Sequence, residues 1–202
     1  MEDEPPSTHP DFWSKRYATA KTPWKIGHLP ERLHAFIRSL QRDSKILIPG
    51  CGDDPRAVAA FDRAGHRVTA IDFSPVAVER AKESLPRLTD RIILADFFNY
   101  DFGAAVFDAV YERTFLCSLP PRLWNDYAAR VAELLRPGAV LAGFFFYGVE
   151  SDPPPFPLTE SKALEIFGGH FYLRKSEPVT DSLPIFGGKE TWQEWQLGSG
   201  PG

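Results

Sequence analysis

The stretch KILIPGCGDDP, residues Lys45–Pro55, joins a short apolar segment to an abrupt turn. Its apolar part is typical of a buried β-strand, and Gly50 and Gly52 follow where that strand would end. Glycine has no Cβ, so it lets the chain bend sharply and lets other groups approach the backbone. In an open α/β sheet, ligands bind beyond the carboxyl ends of the strands. The stretch therefore predicts a strand that ends at a ligand site.

Strand-like and helix-like segments alternate on both sides of this loop. The pattern predicts strands over residues 45–50, 66–73, 91–98, 106–113 and 139–148, and helices over 55–65, 74–85 and 121–135. A loop, a helix over 160–167 and two terminal strands follow. Because the central strands are apolar almost throughout, they indicate a mostly parallel sheet with helices on both faces. We predict an α/β fold of this kind.

The chain is expected to form one domain. Residues 1–10 are acidic and rich in proline, and we predict that they are disordered. Residues 11–197 form the domain, within which the aromatic-rich segment 11–30 is an N-terminal lid with little regular structure. Residues 198–202, GSGPG, are a flexible tail.

The composition of the chain limits the kinds of partner that we expect it to bind. The 202 residues carry a net charge of −4, which provides no general attraction to nucleic acid or to an anionic membrane. No apolar run approaches the roughly 20 residues that a bilayer span needs. The acidic N-terminus does not resemble a secretion signal, and two cysteines do not make a disulfide framework. We predict a cytoplasmic protein that binds neither nucleic acid nor membranes.

The residues around the loop indicate the class of ligand. Asp72 follows the loop by about twenty residues, a spacing at which a carboxylate reaches ribose hydroxyls. A dinucleotide site would have a third glycine, but Asp53 and Asp54 follow here and would repel a pyrophosphate by about 1 kcal/mol each. This disfavours an NAD-dependent oxidoreductase and favours a ligand with positive charge. S-adenosylmethionine, with its sulfonium, is such a ligand.

The predicted third strand supports an adenosyl ligand. Asp96 stands near its end, where the carboxylate could accept a hydrogen bond from an adenine amino group, and Phe97 could cover the base. The alternative is structural, with Asp96 as a cap and Phe97 as part of the core.

Several segments together resemble the thiopurine/thiol/halide methyltransferase family, over about residues 11–196. They are FWSKRY, TPWKIG, IPGCGDD, AIDFSPVAVERA, ADFF, YERTFLCSLPPRLWNDYA and DPPPF. The resemblance implies a Rossmann-like class I methyltransferase fold, with a seven-stranded sheet whose last strand is reversed. It also implies S-adenosylmethionine as methyl donor, S-adenosylhomocysteine as product, and a thiol, selenol or halide as acceptor.

The resemblance also implies the site residues. The predicted cofactor contacts are Trp13, Tyr17, Trp24, Gly50, Cys51, Gly52, Asp72, Phe73, Asp96, Phe97 and Arg113. Arg113 is the predicted catalytic residue, because its guanidinium would orient the donor's carboxylate or an anionic acceptor. A salt bridge with Glu112 or Asp72 is the structural alternative. Trp24 and Phe156 are expected to contact the acceptor, and no metal-ligand spacing is present.

We therefore predict transfer of a methyl group to a small nucleophile, a thiol sulfur first of all. A halide, thiocyanate or bisulfide acceptor is the alternative within the family, because TPWKIG is similar to the plant thiol/halide branch. From another class, a protein that senses an adenosyl ligand without catalysis is also possible. The sequence leaves the oligomeric state open.

Overall fold

The computed structural model describes residues 6–25, 27–150 and 153–198. Residues 1–5 of the expected disordered start and residues 199–202 of the expected tail lie outside these ranges. Residues 6–10 differ from the expectation of disorder. His9 N donates to the carbonyl of Pro6 (2.8 Å), and a helix begins at Pro10, with the His9 side chain accepting from Asp11 N. At the other end, Gly198 N still donates to the carbonyl of His170 (2.9 Å).

Helices and strands alternate through the middle of the chain as predicted. The helices are α1 (Pro10–Ala18), α2 (Glu31–Ser39), α3 (Arg56–Arg63), α4 (Pro75–Ser84), α5 (Trp124–Leu134) and α6 (Glu160–Phe167). The strands are β1 (Lys45–Pro49), β2 (Arg67–Asp72), β3 (Ile92–Leu94), β4 (Phe107–Arg113), β5 (Leu135–Phe146), β6 (Phe171–Pro178) and β7 (Glu190–Leu197). None of the helices in the described ranges is both long and apolar enough to cross a bilayer.

The strands form one seven-stranded sheet in the order β3-β2-β1-β4-β5-β7-β6. β1 pairs in parallel with β2 and with β4, and the parallel pairing continues to β3 on one side and β5 on the other. β7 runs antiparallel to both β5 and β6. The predicted seven-stranded sheet with a reversed last strand is confirmed. The strand order reverses at β1 and β4, so their carboxyl ends open the crevice in which such sheets bind ligands.

Side chains alternate between the two faces of the sheet and build a core on each. On β1, Ile46 and Ile48 lie in the core under α2, α3 and α4, whereas Leu47 lies in the core under α5 and α6. On β7, Trp192 and Trp195 lie in opposite cores, and each is 1% exposed. Burying one such apolar side chain contributes about 1.5–3 kcal/mol. The sheet is therefore held rigidly behind the crevice.

Two strand boundaries differ from the predicted ones. The third strand ends at Leu94 rather than at residue 98, because the Asp96 carboxylate accepts a hydrogen bond from Phe98 N (2.9 Å) and starts a turn. The fifth strand begins at Leu135 and includes Pro137 and Gly138, which were expected to separate it from α5. The pairing with β4 shifts its register there, and Gly138 has a φ of +78°, so a proline that donates no hydrogen bond is tolerated.

The N-terminal segment is more regular than expected. Trp13 was predicted to lie on a segment with little regular structure, but it lies within α1. The periodicity of α1 is weak, because only Phe12 and Tyr17 are buried in it. Helices of this kind owe their stability to docking rather than to their own sequence. The sequence pattern therefore missed this helix.

A buried carboxylate fixes the loop after β4. Glu112 is 1% exposed and accepts hydrogen bonds from Phe115 N (2.8 Å), Leu116 N (3.0 Å) and the Tyr127 hydroxyl (2.8 Å). Burial raises the pKa of Glu112 to about 7, although these hydrogen bonds oppose the shift. The loop that leaves β4 at the crevice is thus tied to α5 by one acid.

This acid should make the stability depend on pH. The folded protein binds the Glu112 proton up to about pH 7, whereas the usual pKa is 4.5, so the free energy of unfolding falls as the pH rises between these values. In Glu112→Gln we expect that fall to be smaller by roughly 3 kcal/mol, as measured by urea denaturation across the window. Asp72 remains and keeps part of the trend. Glu79→Gln, at an exposed carboxylate of α4, is the control, and an identical pH profile for both variants would contradict the prediction.

Candidate active site

Both glycines of the loop after β1 have left-handed backbone angles, with φ of +58° at Gly50 and +62° at Gly52. Their missing side chains make room for aromatic rings of the protein. A Cβ on Gly50 would lie 2.2 Å from Cδ2 of Phe115, and one on Gly52 would lie 2.7 Å from the hydroxyl of Tyr17. Both glycines are therefore required for contacts within the protein, while the approach of a ligand to their main chain stays a prediction. Gly50 nevertheless still borders a large cavity.

That cavity has a volume of about 690 Å³ and lies beyond the carboxyl ends of β1, β2 and β4. Eight of the predicted cofactor residues line it: Trp13, Tyr17, Trp24, Gly50, Asp72, Phe73, Asp96 and Phe97. A smaller cavity of about 80 Å³ adjoins it, and the predicted residues Cys51, Gly52 and Arg113 line only this second one. Tyr17, Trp24, Gly50 and Thr114 line both cavities. The structure thus brings the predicted cofactor residues together around two neighbouring spaces.

Asp72 connects the ends of two strands. Its carboxylate accepts hydrogen bonds from Gly52 N (2.9 Å) on one oxygen and from Ser74 N (2.9 Å) on the other. Burial raises the pKa of Asp72 to about 6, and the charge of Asp53 raises it further against the backbone hydrogen bonds. Each carboxylate oxygen has a second lone pair, so Asp72 can still accept from a ligand hydroxyl.

Asp96 and Phe97 both stabilise the local structure and line the large cavity. Asp96 accepts from Phe98 N (2.9 Å) and from the Asn99 side-chain amide (2.6 Å), as the cap reading predicts. Phe97 is 3% exposed and packs its ring against Phe115 at a centroid distance of 5.4 Å. The two readings are compatible, because both residues also line the cavity.

Both carboxylates that follow the glycine loop are paired. Asp53 accepts from the ammonium of Lys25 (2.8 Å), and its side chain is only 3% exposed. Asp54 accepts from Nε and Nη2 of Arg56 (2.7 Å each). Because Lys25 and Arg56 pair with these two acids, the surroundings of the loop are less negative than Asp53 and Asp54 alone would make them.

Three aromatic rings of the N-terminal segment form a cover over the cavity. The Trp13 and Trp24 rings meet edge to face with centroids 5.5 Å apart, and Tyr17 and Trp24 do so at 5.9 Å. The Trp13 indole donates to the carbonyl of Ser7 (2.7 Å). Burial, with the charges of Asp72 and Asp53, raises the pKa of Tyr17 well above its usual value, so the hydroxyl stays neutral.

The cover is docked on α4. Ser14 and Ser74 share a hydrogen bond between their hydroxyls (2.9 Å), and the guanidinium of Arg80 donates to the carbonyls of Tyr17 and Ala18 at the end of α1. A cation there satisfies carbonyls that have no partner within the helix. The polar contacts of Ser14 and Arg80 gave no signal in the sequence.

Arg113 lies behind the glycine loop rather than at the rim of the large cavity. Its guanidinium stands over the Phe144 ring at 4.1 Å, and Nη2 is 3.5 Å from Oε1 of Glu190. The alternative of a salt bridge with Glu112 or Asp72 is wrong, because the acid partner comes from β7. In the described part of the chain, Nη1 and Nη2 of Arg113 have no hydrogen-bond partner.

Apolar side chains that sequence analysis largely missed also line the large cavity, and together they are called the apolar wall. Its members come from four separate segments: Phe98, Phe115, Leu119, Leu123, Pro154, Pro155, Ile185 and Phe186. Phe156, predicted to point into the site, is absent from this lining. It packs against the core, while Phe156 N donates to the carbonyl of Cys117 (2.6 Å). From the DPPPF stretch, Pro154 and Pro155 line the cavity instead of Phe156. Asp152 of this stretch lies outside the described residues.

The two cysteines are free thiols. Burial raises the pKa of Cys51 and of Cys117 well above the usual value, so both are protonated at neutral pH. Among residues 6–25, 27–150 and 153–198, no three His, Cys, Asp or Glu side chains lie together as a metal site requires.

Known proteins resemble the chain over nearly its whole length. The family model for thiopurine S-methyltransferase matches residues 8–195. The thiopurine S-methyltransferase of Pseudomonas fluorescens is 32% identical, over 94% of this chain and 93% of its own length. The probable thiol methyltransferase 2 of Arabidopsis thaliana is 30% identical, over 74% of this chain and 68% of its own length.

Solved structures share the fold. The 1,6-didemethyltoxoflavin-N1-methyltransferase of Burkholderia thailandensis, determined with 1,6-didemethyltoxoflavin and S-adenosylhomocysteine bound, has a TM-score of 0.77 at 22% identity. The match covers 94% of this chain and 87% of that one. The chain belongs to the thiopurine S-methyltransferase family of S-adenosylmethionine-dependent methyltransferases.

Proposed function

We propose that this methyltransferase transfers the methyl group of S-adenosylmethionine to the sulfur of an apolar thiol of aromatic size. The observation that carries the proposal is the 690 Å³ cavity, which joins the predicted cofactor residues to an apolar wall. Binding sites for small molecules are usually apolar clefts of about this size with a few polar groups. The relatives named for thiopurines and thiols agree with a sulfur acceptor.

The residues present fit the methyl donor. Asp72 would accept from the ribose hydroxyls, Asp96 would accept from the adenine amino group and Phe97 would contact the base. Aromatic rings attract cations, so Trp13, Tyr17 and Trp24 would favour the sulfonium by about 1–2 kcal/mol when it is desolvated. The bound donor supplies a methyl group on a good leaving group. The protein must orient it and exclude water.

The apolar wall favours a hydrophobic acceptor. Phe98, Leu119, Leu123 and Phe186 offer contacts that a halide or thiocyanate ion cannot use. An alkyl thiol with a pKa near 8.5 is only a few per cent thiolate at neutral pH, and the thiolate is the nucleophile. When the protein holds the thiolate sulfur in line with the methyl group, the reaction becomes effectively unimolecular. Positioning therefore provides most of the catalysis that these residues can supply.

The first test concerns the ligand class. We expect isothermal titration calorimetry to give a binding isotherm with S-adenosylhomocysteine and none with NAD, since the loop lacks the third glycine of a pyrophosphate site and continues with Asp53 and Asp54. Tight NAD binding together with no response to S-adenosylhomocysteine would contradict the proposed function.

The second test identifies the acceptor. With donor labelled in its methyl group, we expect aromatic thiols to yield labelled product faster than small alkyl thiols, selenols, iodide, thiocyanate or bisulfide. Faster turnover of the ions would favour the halide branch. If no acceptor yields product, the reading as a non-catalytic adenosyl-ligand sensor gains support.

A substitution in the apolar wall tests where the acceptor binds. Leu123→Trp adds bulk beside the acceptor, so KM for an aromatic thiol should rise by about tenfold, while KM for a small alkyl thiol changes less. Equal changes for both acceptors would show that Leu123 does not border the acceptor.

The third test concerns Asp72. Asp72→Asn keeps the shape of the side chain but removes the charge that would accept from the ribose. We expect S-adenosylhomocysteine to bind more weakly by roughly 1–3 kcal/mol in calorimetry. Asp62→Asn, at an exposed position of α3, is the matched control. Unchanged affinity in Asp72→Asn, with a normal melting temperature, would mean that another group holds the ribose.

A further inference from the structure

Thr114, the first residue after β4, has a backbone conformation that its side chain disfavours. Its φ is +64°, in the left-handed region. The other non-glycine residues of the described ranges in that region are Ala20, Asp43 and Ala105. Among these four residues, only Thr114 is β-branched, and only Thr114 lines either of the two cavities. A β-branched residue in the left-handed region is an outlier, and such outliers cluster at functional sites.

The turn after β4 imposes this conformation. The Glu112 carboxylate accepts hydrogen bonds from Phe115 N (2.8 Å) and Leu116 N (3.0 Å), so the chain must bend back over the strand end at Thr114. Glycine would adopt this backbone conformation without strain. Threonine is therefore an unfavourable residue for the turn alone, which indicates a use for its side chain.

Thr114 lies where the aromatic cover meets the apolar wall. It borders both cavities, as do Tyr17 and Trp24 of the cover, and its chain neighbour Phe115 belongs to the apolar wall. In the proposed function the cover attracts the sulfonium of the donor, and the wall contacts the acceptor. Methyl transfer must then occur where the two meet, which is beside Thr114.

The hydroxyl of Thr114 is available to a ligand. It has no hydrogen-bond partner among residues 6–25, 27–150 and 153–198, and Thr114 is half-buried. Two other polar side chains at the large cavity are already engaged. The Ser118 hydroxyl donates to the carbonyl of Phe115 (2.6 Å), and the Cys117 thiol donates to the carbonyl of Thr114 (3.5 Å). A hydroxyl can donate one hydrogen bond, and a donor beside a titrating group favours its anionic form.

We propose that the Thr114 hydroxyl donates a hydrogen bond to the sulfur of the acceptor and stabilises it as a thiolate. The inference rests on the proposed function and adds an acceptor-binding residue to it. The thiol first loses its proton to solvent water. A lone pair of the thiolate sulfur then forms the bond to the methyl carbon, while the bond from that carbon to the sulfonium breaks and its electron pair stays on the donor sulfur. The products are a methyl thioether and S-adenosylhomocysteine.

Charged groups around Thr114 also act on a bound thiolate. Those that line the large cavity are Arg16, Lys21, Asp72, Asp96 and Asp126. Those that line the small cavity are Lys25, Asp53, Asp54, Arg56 and Arg113, of which Asp53 Oδ1 and both Nη atoms of Arg113 have no hydrogen-bond partner among the described residues. Glu112 titrates nearby, with a pKa of about 7. A substitution at Thr114 leaves all of these groups in place, so a difference between variant and unaltered chain reports the hydroxyl.

The test measures the pKa of a bound thiol in the complex with S-adenosylhomocysteine, in which no methyl group can be transferred. Thiophenol is the probe, because its thiol and its thiolate absorb differently in the ultraviolet. Burial raises the pKa of Cys51 and of Cys117 well above the usual value, so the thiols of the protein stay protonated during the titration. The complex without thiophenol provides the blank.

Thr114→Val keeps the shape of the side chain and removes the hydroxyl. We expect the pKa of bound thiophenol to be about one pH unit higher in this variant than in the unaltered chain, which is a tenfold change in its ionisation constant. Thr114→Ser keeps the hydroxyl and should retain the unaltered value. Thr69→Val is the matched control, because Thr69 is a half-buried residue of β2 that lines neither cavity.

Turnover gives a second readout. Below the pKa of the bound thiol, kcat for thiophenol should fall about threefold in Thr114→Val, because the thiolate fraction falls tenfold while a more basic thiolate is a somewhat better nucleophile. Above that pKa, kcat should be no lower than in the unaltered chain. Thr114→Gly relieves the backbone, so it should melt no lower than the unaltered chain and should still show the raised pKa of bound thiophenol.

The outcomes distinguish the inference from the function on which it rests. If the unaltered chain does not bind S-adenosylhomocysteine, or if its complex does not bind thiophenol, the proposed function is wrong in its donor or in its acceptor. If thiophenol binds with the same pKa in Thr114→Val, Thr114→Gly and the unaltered chain, the hydroxyl does not face the acceptor sulfur and the inference is wrong. A loss of affinity for S-adenosylhomocysteine in Thr114→Val that matches the loss of turnover would also contradict it.

Discussion

The site depends on the hydrogen bonds of one buried carboxylate. Asp72 ends β2 and accepts from Gly52 in the loop after β1 and from Ser74 at the start of α4. The Ser74 hydroxyl in turn accepts from Ala77 N and shares a hydrogen bond with Ser14 of α1. Two strand ends, a helix start and the aromatic cover are thus held in one connected network. Because its members have fixed positions before any ligand arrives, little ordering remains to oppose binding.

The site is also unusual in how much charge it buries. Asp53, Asp72, Glu112 and Glu190 are each less than a tenth exposed, and the Arg113 side chain is 11% exposed. Burying a charge is unfavourable unless partners compensate for the lost water. Backbone N–H groups compensate for Asp72 and Glu112, whereas the unpaired atoms of Asp53 and Arg113 are compensated least. Such deficits are characteristic of functional sites rather than of cores.

The sequence predicted the sheet well because its signals are local. The apolar run of β1, the serine and proline that begin α4 and the glycines after β1 depend only on neighbouring residues. Features that depend on distant pairing were missed or displaced. The partner of Arg113 comes from β7, α1 is held by Arg80, and the apolar wall collects residues from four segments. Phe156 was predicted to contact the acceptor, but Pro154 and Pro155 line the cavity instead, since a sequence does not tell which way a loop side chain turns.

The ring of Phe115 occupies the place where Gly50 would otherwise carry a side chain, and the same ring packs on Phe97 and lines the large cavity. The shape of the turn after β1 and the width of the large cavity therefore depend on each other. In a relative with a bulkier residue at position 50, the aromatic residue at position 115 must shrink or move. Substrate range within such a lineage would then change through paired replacements at positions 50 and 115, although the glycine at position 50 offers the acceptor no side chain to contact.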